Sequence, residues 1–490
     1  RLAEFSVLLL TDSRFAVWGD RLAFGADLGD GTGDELAATV PSGGVESIAD
    51  IYAGDRGSQP RDLTPLARRM FFSADDGATA SRLFRSAGTP ETTVPLVQLG
   101  LNEFGQRPYD LTAVGSGLFF AESGAGVGRA SLHGPSTQLL LSGSSRRFVH
   151  EVAKVGSRVV FDRFESEPSP ASGQALRLFA SDGTAAGTVP LATLDDQSSF
   201  GLAFPAPRPE GDGAYWFTRI LGPTGDATLG ALWQSDGTAA GTRKLLDHPC
   251  GDCGDPFDWV AARGGRFYFL VNRFGHENVD LWTTDGTTAG TLRLAQNGTA
   301  SSRLTGSYLT AFDSARGPLV IYTGFDATTG EEPWISDGTV LGTHRLADLR
   351  RGAYGSRPRE YTVIGNRIYF STDDGRFGRE LWVSDGTAAG TRRFADLYPG
   401  ARGSRVHNLT MIDLGGNAGV RLAFSADDGV TGFEPWITDG TLAGTRRLAD
   451  LNPGPDGSNP SEFTRLGKDL WMSAARPATG YELWRIALGN

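Results

Sequence analysis

Residues able to do chemistry fall into a few sets in this 490-residue chain, and most of them repeat. The turns Ser73-Ala74-Asp75-Asp76-Gly77, Ser371-Thr372-Asp373-Asp374-Gly375 and Ser425-Ala426-Asp427-Asp428-Gly429 each present two adjacent carboxylates. With backbone carbonyls beside them, Asp75, Asp76, Asp373, Asp374, Asp427 and Asp428 suit an oxygen-seeking cation such as calcium. The same side chains close tight turns by accepting backbone N–H groups, so a structural role stands beside the metal. The two cysteines lie together in His248-Pro249-Cys250-Gly251-Asp252-Cys253. A local Cys250–Cys253 disulfide is the expected state, with a free thiol pair or a metal site including His248 as alternatives. Zinc needs four ligands, and no second Cys or His pair completes the shell. Phe204, Arg208, Phe257, Trp259, Phe274 and His276 lie in or beside the least repetitive insertions. Aromatic and charged side chains on variable loops of a rigid scaffold suit ligand binding, and these six are the expected ligand site. No HExxH, GxSxG or P-loop motif occurs, and carboxylate pairs recur too often for any one to mark a glycosidase. The expectation is a protein with no catalytic residues.

The elements that position these residues come from a repeat. Glu380-Leu-Trp-Val-Ser-Asp-Gly-Thr-Ala-Ala-Gly-Thr391 is its cleanest copy, and equivalents centre on Trp233, Trp282, Trp334 and Trp436. Phe179 and Phe84 stand in for the tryptophan in two copies, Ala130 and Ala37 in two more, and Trp484 ends a last half copy. A period near 50 residues signals a repeat architecture. Each unit holds four short apolar stretches between turn signals. In the eighth these are 360–364, 367–371, 380–383 and 392–397, the pattern of a β-propeller blade. Second strands such as Ile368-Tyr369-Phe370 are apolar on both faces, as a sheet covered on both sides requires. Leu381 and Trp382 alternate to opposite faces, so each is expected to meet a different neighbouring blade.

The fold class is therefore all-β, a propeller of four-stranded antiparallel blades spanning 1–490 as one domain. Ten blades in one ring are expected. Two rings of five, parted near residue 247, and a ring with the weak third unit diverted are the alternatives. The last unit has only three strands, and residues 1–10 are spare, so an N-terminal strand is expected to complete it. The links between blades, such as Asp396-Leu-Tyr-Pro-Gly-Ala-Arg-Gly-Ser404, read as a shared structural turn. A threonine recurs in first strands (Thr64, Thr112, Thr310, Thr362, Thr410, Thr464). It either lines a polar channel or bonds a neighbouring strand.

Net charge is −11, which argues against nucleic acid. No apolar run reaches the about 20 residues that cross a bilayer. The chain opens without a basic-then-apolar leader, so a secretion signal is expected to be absent or removed.

The repeated motif resembles the ELWxxDGT-repeat proteins of bacteria, and the resemblance covers essentially the whole chain. It implies export to the extracellular space or cell surface and a repeat scaffold, without implying an activity. The Asp-Asp-Gly turns resemble the Asp-box of sialidases and sortilin-type propellers, which implies serine and aspartate side chains closing a hairpin. The expected function is an exported scaffold that recognises a protein or an extracellular or cell-surface glycan through rim loops. A glycan-active hydrolase or lyase is one alternative, and a building block of a large surface assembly is another.

Overall fold

Period-two alternation between Gly-rich turns yields strands almost throughout. The computed structural model describes the chain apart from residues 1, 6–7, 10–14, 41–42, 79–80, 97–107, 123–125, 135–136, 144–146, 167–173, 196–201, 208–211, 222–226, 248–252, 263–264, 274–277, 300–308, 416–418, 477–479 and 489–490. Among the described residues the one helical element is a 3-10 turn, Pro90–Thr92. The strands form ten four-stranded antiparallel blades, the fold of a β-propeller. They divide into two compact units of five blades each. The N-terminal unit is Val7–Gly251, and the C-terminal unit is Asp252–Asn490 with Arg1–Ser6. Blades one to five begin at Ala16, Arg61, Pro108, Arg147 and Leu202, and blades six to ten at Cys253, Leu309, Arg359, His407 and Ser461.

The third blade is complete despite its weak motif, with strands Pro108–Val114, Gly117–Glu122, Gly126–Ser131 and Thr137–Ser142, so the alternative in which that unit is diverted does not occur. Blade ten takes its fourth strand from the N-terminus: Leu2–Phe5 pairs antiparallel with Gly480–Ala487, setting Glu4 opposite Trp484. Leu8–Leu9 pairs instead with the second strand of blade one.

Packing follows the motif. In blade eight, Leu381 packs with Leu422 and Phe424 of blade nine, whereas Trp382 packs with Phe312, Ile321 and Ile335 of blade seven. Trp436 and Trp334 likewise reach back to the preceding blade. The aromatic is thus the inter-blade wedge, and burying one stabilises the junction by about 3 kcal/mol or more. The indole N–H of Trp382 is buried without a hydrogen-bond partner, so the wedge works by shape and area.

The Asp-Gly-Thr turn completes itself. Asp385 Oδ1 accepts from Thr387 N at 2.9 Å and Thr387 Oγ1 at 2.7 Å, and Gly386 N donates to Ser384 Oγ at 3.0 Å. These bonds hold the Asp385 carboxyl below its ordinary range. Gly386 has φ +86°, and a Cβ there would lie 2.8 Å from Leu319 of blade seven. The turn therefore seats on the preceding blade and needs glycine on two counts.

The glutamate of the motif is a latch. Buried Glu380 accepts from Leu397 N and Tyr398 N at 3.3 Å, Ser404 N at 2.9 Å and Ser404 Oγ at 2.5 Å. Glu332 holds Leu349, Arg350 and Ser356 in the same way, Glu434 holds Leu451, Asn452 and Ser458, and Glu35 holds Tyr52 and Ser58. Burial raises all four carboxyls, and the donated hydrogen bonds oppose the shift. The latch also shortens the fourth strand. Its regular part is Arg392–Arg393, Phe394 N still donates to the Leu381 carbonyl at 2.8 Å, and beyond it Leu397 and Tyr398 donate to Glu380. In blade ten the equivalent Glu482 is 2% exposed, and its Oε2 has no hydrogen-bond partner.

Candidate functional site

The latches of Glu35, Glu332, Glu380 and Glu434 each fix the link that leaves their blade, and in blades seven to nine these links lie beside the turns between second and third strands. In blade eight that turn, 374–378, lies between two links. A Cβ on Gly375 would come 3.0 Å from Arg350 Nε, and one on Gly378 would meet the Arg402 carbonyl carbon at 2.5 Å. Three segments carrying Arg350–Arg357, Asp374–Gly378 and Tyr398–Arg405 thus form one surface within the C-terminal unit.

Its side chains are arginines stacked on aromatic rings. Tyr354, 55% exposed, has the Arg350 and Arg357 guanidiniums 4.2 and 4.0 Å from its ring centroid. Phe377 has Arg376 at 4.7 Å and Arg393 at 3.6 Å, Tyr398 has Arg402 at 5.7 Å, and Phe433 has Arg405 at 4.4 Å. His407 meets Phe433 edge-on, and its Nε2 lies 3.2 Å from Asn459 Oδ1, while Asn459 Nδ2 donates to Tyr481 Oη at 2.9 Å. Arg357, Arg405 and Asn459, each just after the latched serine, have left-handed φ of 52°, 50° and 46°. Side chains held in that sparsely populated region persist only where their surroundings fix them.

Three residues further on, a second left-handed position recurs at Asp62, Asp110, Glu360, Asn408 and Glu462. It is the start of a bulge in each first strand, and at Glu360, Asp110 and Asn408 it places a polar side chain against the next blade. Glu360 Oε2 accepts from Leu409 N at 3.0 Å, Asp110 Oδ2 accepts from Val152 N, and Asn408 Nδ2 donates to the Pro460 carbonyl at 3.0 Å. The sequence carries this position and the threonine as one pattern, Asp/Glu/Asn-x-Thr, in which the threonine is the residue with the expected role. That threonine bonds a neighbouring strand in four cases: Thr64, Thr112, Thr310 and Thr362 donate to the carbonyls of Leu111, Val152, Tyr361 and Leu409. Thr410 and Thr464 bond within their own strands.

The N-terminal unit holds one carboxyl pair with displaced titration. Asp110 and Glu151, on the first strands of blades three and four, hydrogen-bond to each other. Burial first, then the Asp110 charge, pushes Glu151 up to about 7, and burial also raises Asp110. Glu122, buried in blade three, is pushed up to about 7 by burial alone.

The Asp-Asp-Gly turns are occupied by their own backbone and by arginines. Asp373 Oδ1 accepts from Gly375 N and its Oδ2 from Arg350, at 2.7 and 2.8 Å. Asp374 accepts from Arg376 N and Phe377 N, Asp427 from Gly429 N and Arg405, and Asp428 from Val430 N, Thr431 N and Arg447. Asp75 accepts from Gly77 N, and Asp76 pairs with Arg82 at 3.2 Å. Among the described residues no group of three or more metal-ligating side chains comes together. The turn serine differs from the expected hairpin role: Ser371 Oγ donates to the Val406 carbonyl of the next link, at 2.7 Å.

Of the six residues expected to grip a ligand, Arg208, Phe274 and His276 lie outside the described residues, as does Cys250. Phe204 is in strand Leu202–Pro207 of the N-terminal unit. Phe257 and Trp259 are in strand Cys253–Ala262 of the C-terminal unit, where Trp259 pairs with Phe269 and Phe257 falls at a register shift. Cys253 opens that same strand.

No known family profile matches the chain, and no curated protein does. Solved structures do resemble it. An oligogalacturonate lyase in complex with manganese is 15% identical, with a TM-score of 0.33 over 64% of this chain and 85% of that one. A puromycin hydrolase S511A mutant is 16% identical, with a TM-score of 0.34 over 85% of this chain; the chain spans only 58% of that protein. The β-propeller domain of the Trilobed protease from Pyrococcus furiosus, with its open velcro topology, is 12% identical with a TM-score of 0.32, over 68% of this chain and 98% of that one. At such values the fold rests on this chain's own strand order.

Proposed function

We propose that the chain is an exported recognition scaffold of the ELWxxDGT-repeat kind, binding a protein or an extracellular or cell-surface glycan through the link side of its C-terminal unit. The observation that carries this reading is the run of arginine–aromatic stacks at Tyr354, Phe377, Tyr398 and Phe433, held on a latched framework. Aromatic and arginine side chains are those most enriched where partners dock, and stacking orders them before binding. The repeated motif residues, by contrast, are spent on turns, wedges and latches. A glycan array with calcium and again with chelator tests the reading. Selective binding lost on Tyr354→Ala supports it, and a signal indifferent to that change refutes the site.

Glycan hydrolysis is the second reading, and the Asp110–Glu151 pair favours it because burial pushes Glu151 up to about 7 and raises Asp110 as well. Glycosidase carboxyls stand about 5–9.5 Å apart to admit a sugar or water, whereas these bond directly to each other. Their geometry suits a blade junction better. Turnover of any glycan that disappears with Glu151→Gln would restore the enzyme reading.

A further inference from the structure

We propose that the link side of the C-terminal unit binds a carboxylated polysaccharide, with Arg351, Arg376 and Arg402 as its carboxylate clamps; this rests on the recognition reading above. Charge is the first argument. Residues 345–405 contain 12 arginines, no lysine and 7 carboxylates, a net of +5 on a chain whose net charge is −11. The excess is not consumed internally. Arg350 pairs with Asp373, Arg393 with Asp396 and Arg405 with Asp427, while the Arg379 guanidinium donates to the Ser371 and Arg357 carbonyls. Arg351, Arg376 and Arg402 remain exposed and pair with no carboxylate among the described residues.

These three lie on the contiguous segments described above, one on each link and one on the turn between them. Arg376 and Arg402 are steadied by Phe377 and Tyr398, which orders the guanidinium while leaving its donors outward. Arginine is the residue whose planar fork meets a carboxylate through two parallel hydrogen bonds. A patch built wholly of arginine therefore suits anions that accept through two oxygens, carboxylates among them. Beside the Arg376 and Arg402 forks stand the rings of Phe377 and Tyr398, and a chain of sugar rings offers apolar C–H faces between its carboxylates. The net charge of −11 opposes every polyanion alike, so the fork and ring geometry favours the polysaccharide, and DNA is a comparator in the test.

The test measures binding of the full chain to polygalacturonate by calorimetry at 50 and 500 mM salt. Dextran, poly-glutamate and duplex DNA of similar length serve as comparators. The wild type is expected to bind polygalacturonate, more weakly at high salt, and at least tenfold more weakly in the triple variant Arg351→Ala/Arg376→Ala/Arg402→Ala. The melting temperature of that variant should match the wild type, since none of the three arginines makes an ion pair. Binding of dextran with equal affinity, lost on Tyr354→Ala but not in the triple variant, would overturn the carboxylate class and leave the recognition site standing. DNA or poly-glutamate bound as tightly as polygalacturonate would overturn the class by showing generic polyanion attraction. No binding of polygalacturonate at 50 mM salt would overturn it outright.

Discussion

Two copies of the same motif glutamate are expected to answer oppositely to the same substitution. Glu380→Gln keeps one acceptor oxygen and turns an amide NH2 toward donors that the carboxylate satisfied. Depending on how the amide settles, either Tyr398 N and Ser404 N lose their acceptor, or Leu397 N loses its own while the Ser404 hydroxyl turns to accept from the amide. Hydrogen bonds to a charged acceptor contribute about 1.5–3 kcal/mol each, and buried donors left bare cost more. Removing the buried charge returns part of this, in keeping with the upward push that burial gives the Glu380 carboxyl. The net expectation is a loss of about 2–4 kcal/mol, or about 4–16 °C at about 2–4 °C per kcal/mol for a unit of this size. Glu482→Gln removes a carboxylate whose Oε2 has no partner, so it is expected to cost nothing and to add up to about 1 kcal/mol. Differential scanning calorimetry of the two variants beside the wild type is the assay. Equal losses for both would refute the latch, because the motif glutamate would then act without regard to the link it holds.

Trp382→Phe is expected to cost under about 1.5 kcal/mol, since the buried indole N–H has no partner, whereas Trp382→Ala is expected to cost about 3–5 kcal/mol; urea midpoints compare them. The raised Glu151 carboxyl makes the N-terminal unit hold a proton that the unfolded chain releases. Its contribution is therefore fully present below the ordinary value near 4.5 and is lost as pH rises through about 7. Screening at this half-buried site limits the loss to about 1–3 kcal/mol, and Glu151→Gln is expected to flatten the wild-type fall between pH 5 and 8 in denaturant titrations. Deleting residues 1–5 removes the fourth strand of blade ten, and calorimetry is expected to show the C-terminal unit melting earlier while the N-terminal unit is unchanged.

Strands and blades were legible because alternation and turn chemistry are local. Ile368-Tyr369-Phe370 and Asp385-Gly386-Thr387 carry their roles in adjacent residues, and the wedge of Trp382 followed from alternation with Leu381. The latch was not legible, because Glu380 and Ser404 are 24 residues apart and meet only when the link folds back. Both halves were visible as separate repeats, and their common spacing in Glu332–Ser356 and Glu434–Ser458 was the signal that could have joined them. The arginine stacks escaped for another reason: they lie inside the repetitive links, where repetition suggested structure alone. Sequence reasoning looked to the insertions around Phe204 and Trp259 because they vary. The variable positions within a latched link, such as Arg351 and Arg402, change just as freely on a more rigid support.

The central claim separates residues that hold the blades from residues that meet a partner, and one paired measurement tests it. Glycan-array binding and melting temperature would be read together for Glu380→Gln and for Arg351→Ala/Arg376→Ala/Arg402→Ala. The account predicts lowered melting with binding retained by the folded fraction in the first, and unchanged melting with binding lost in the second. Binding undiminished in the arginine variant and in Tyr354→Ala alike, or melting lowered in the arginine variant as far as in the latch variant, would contradict it.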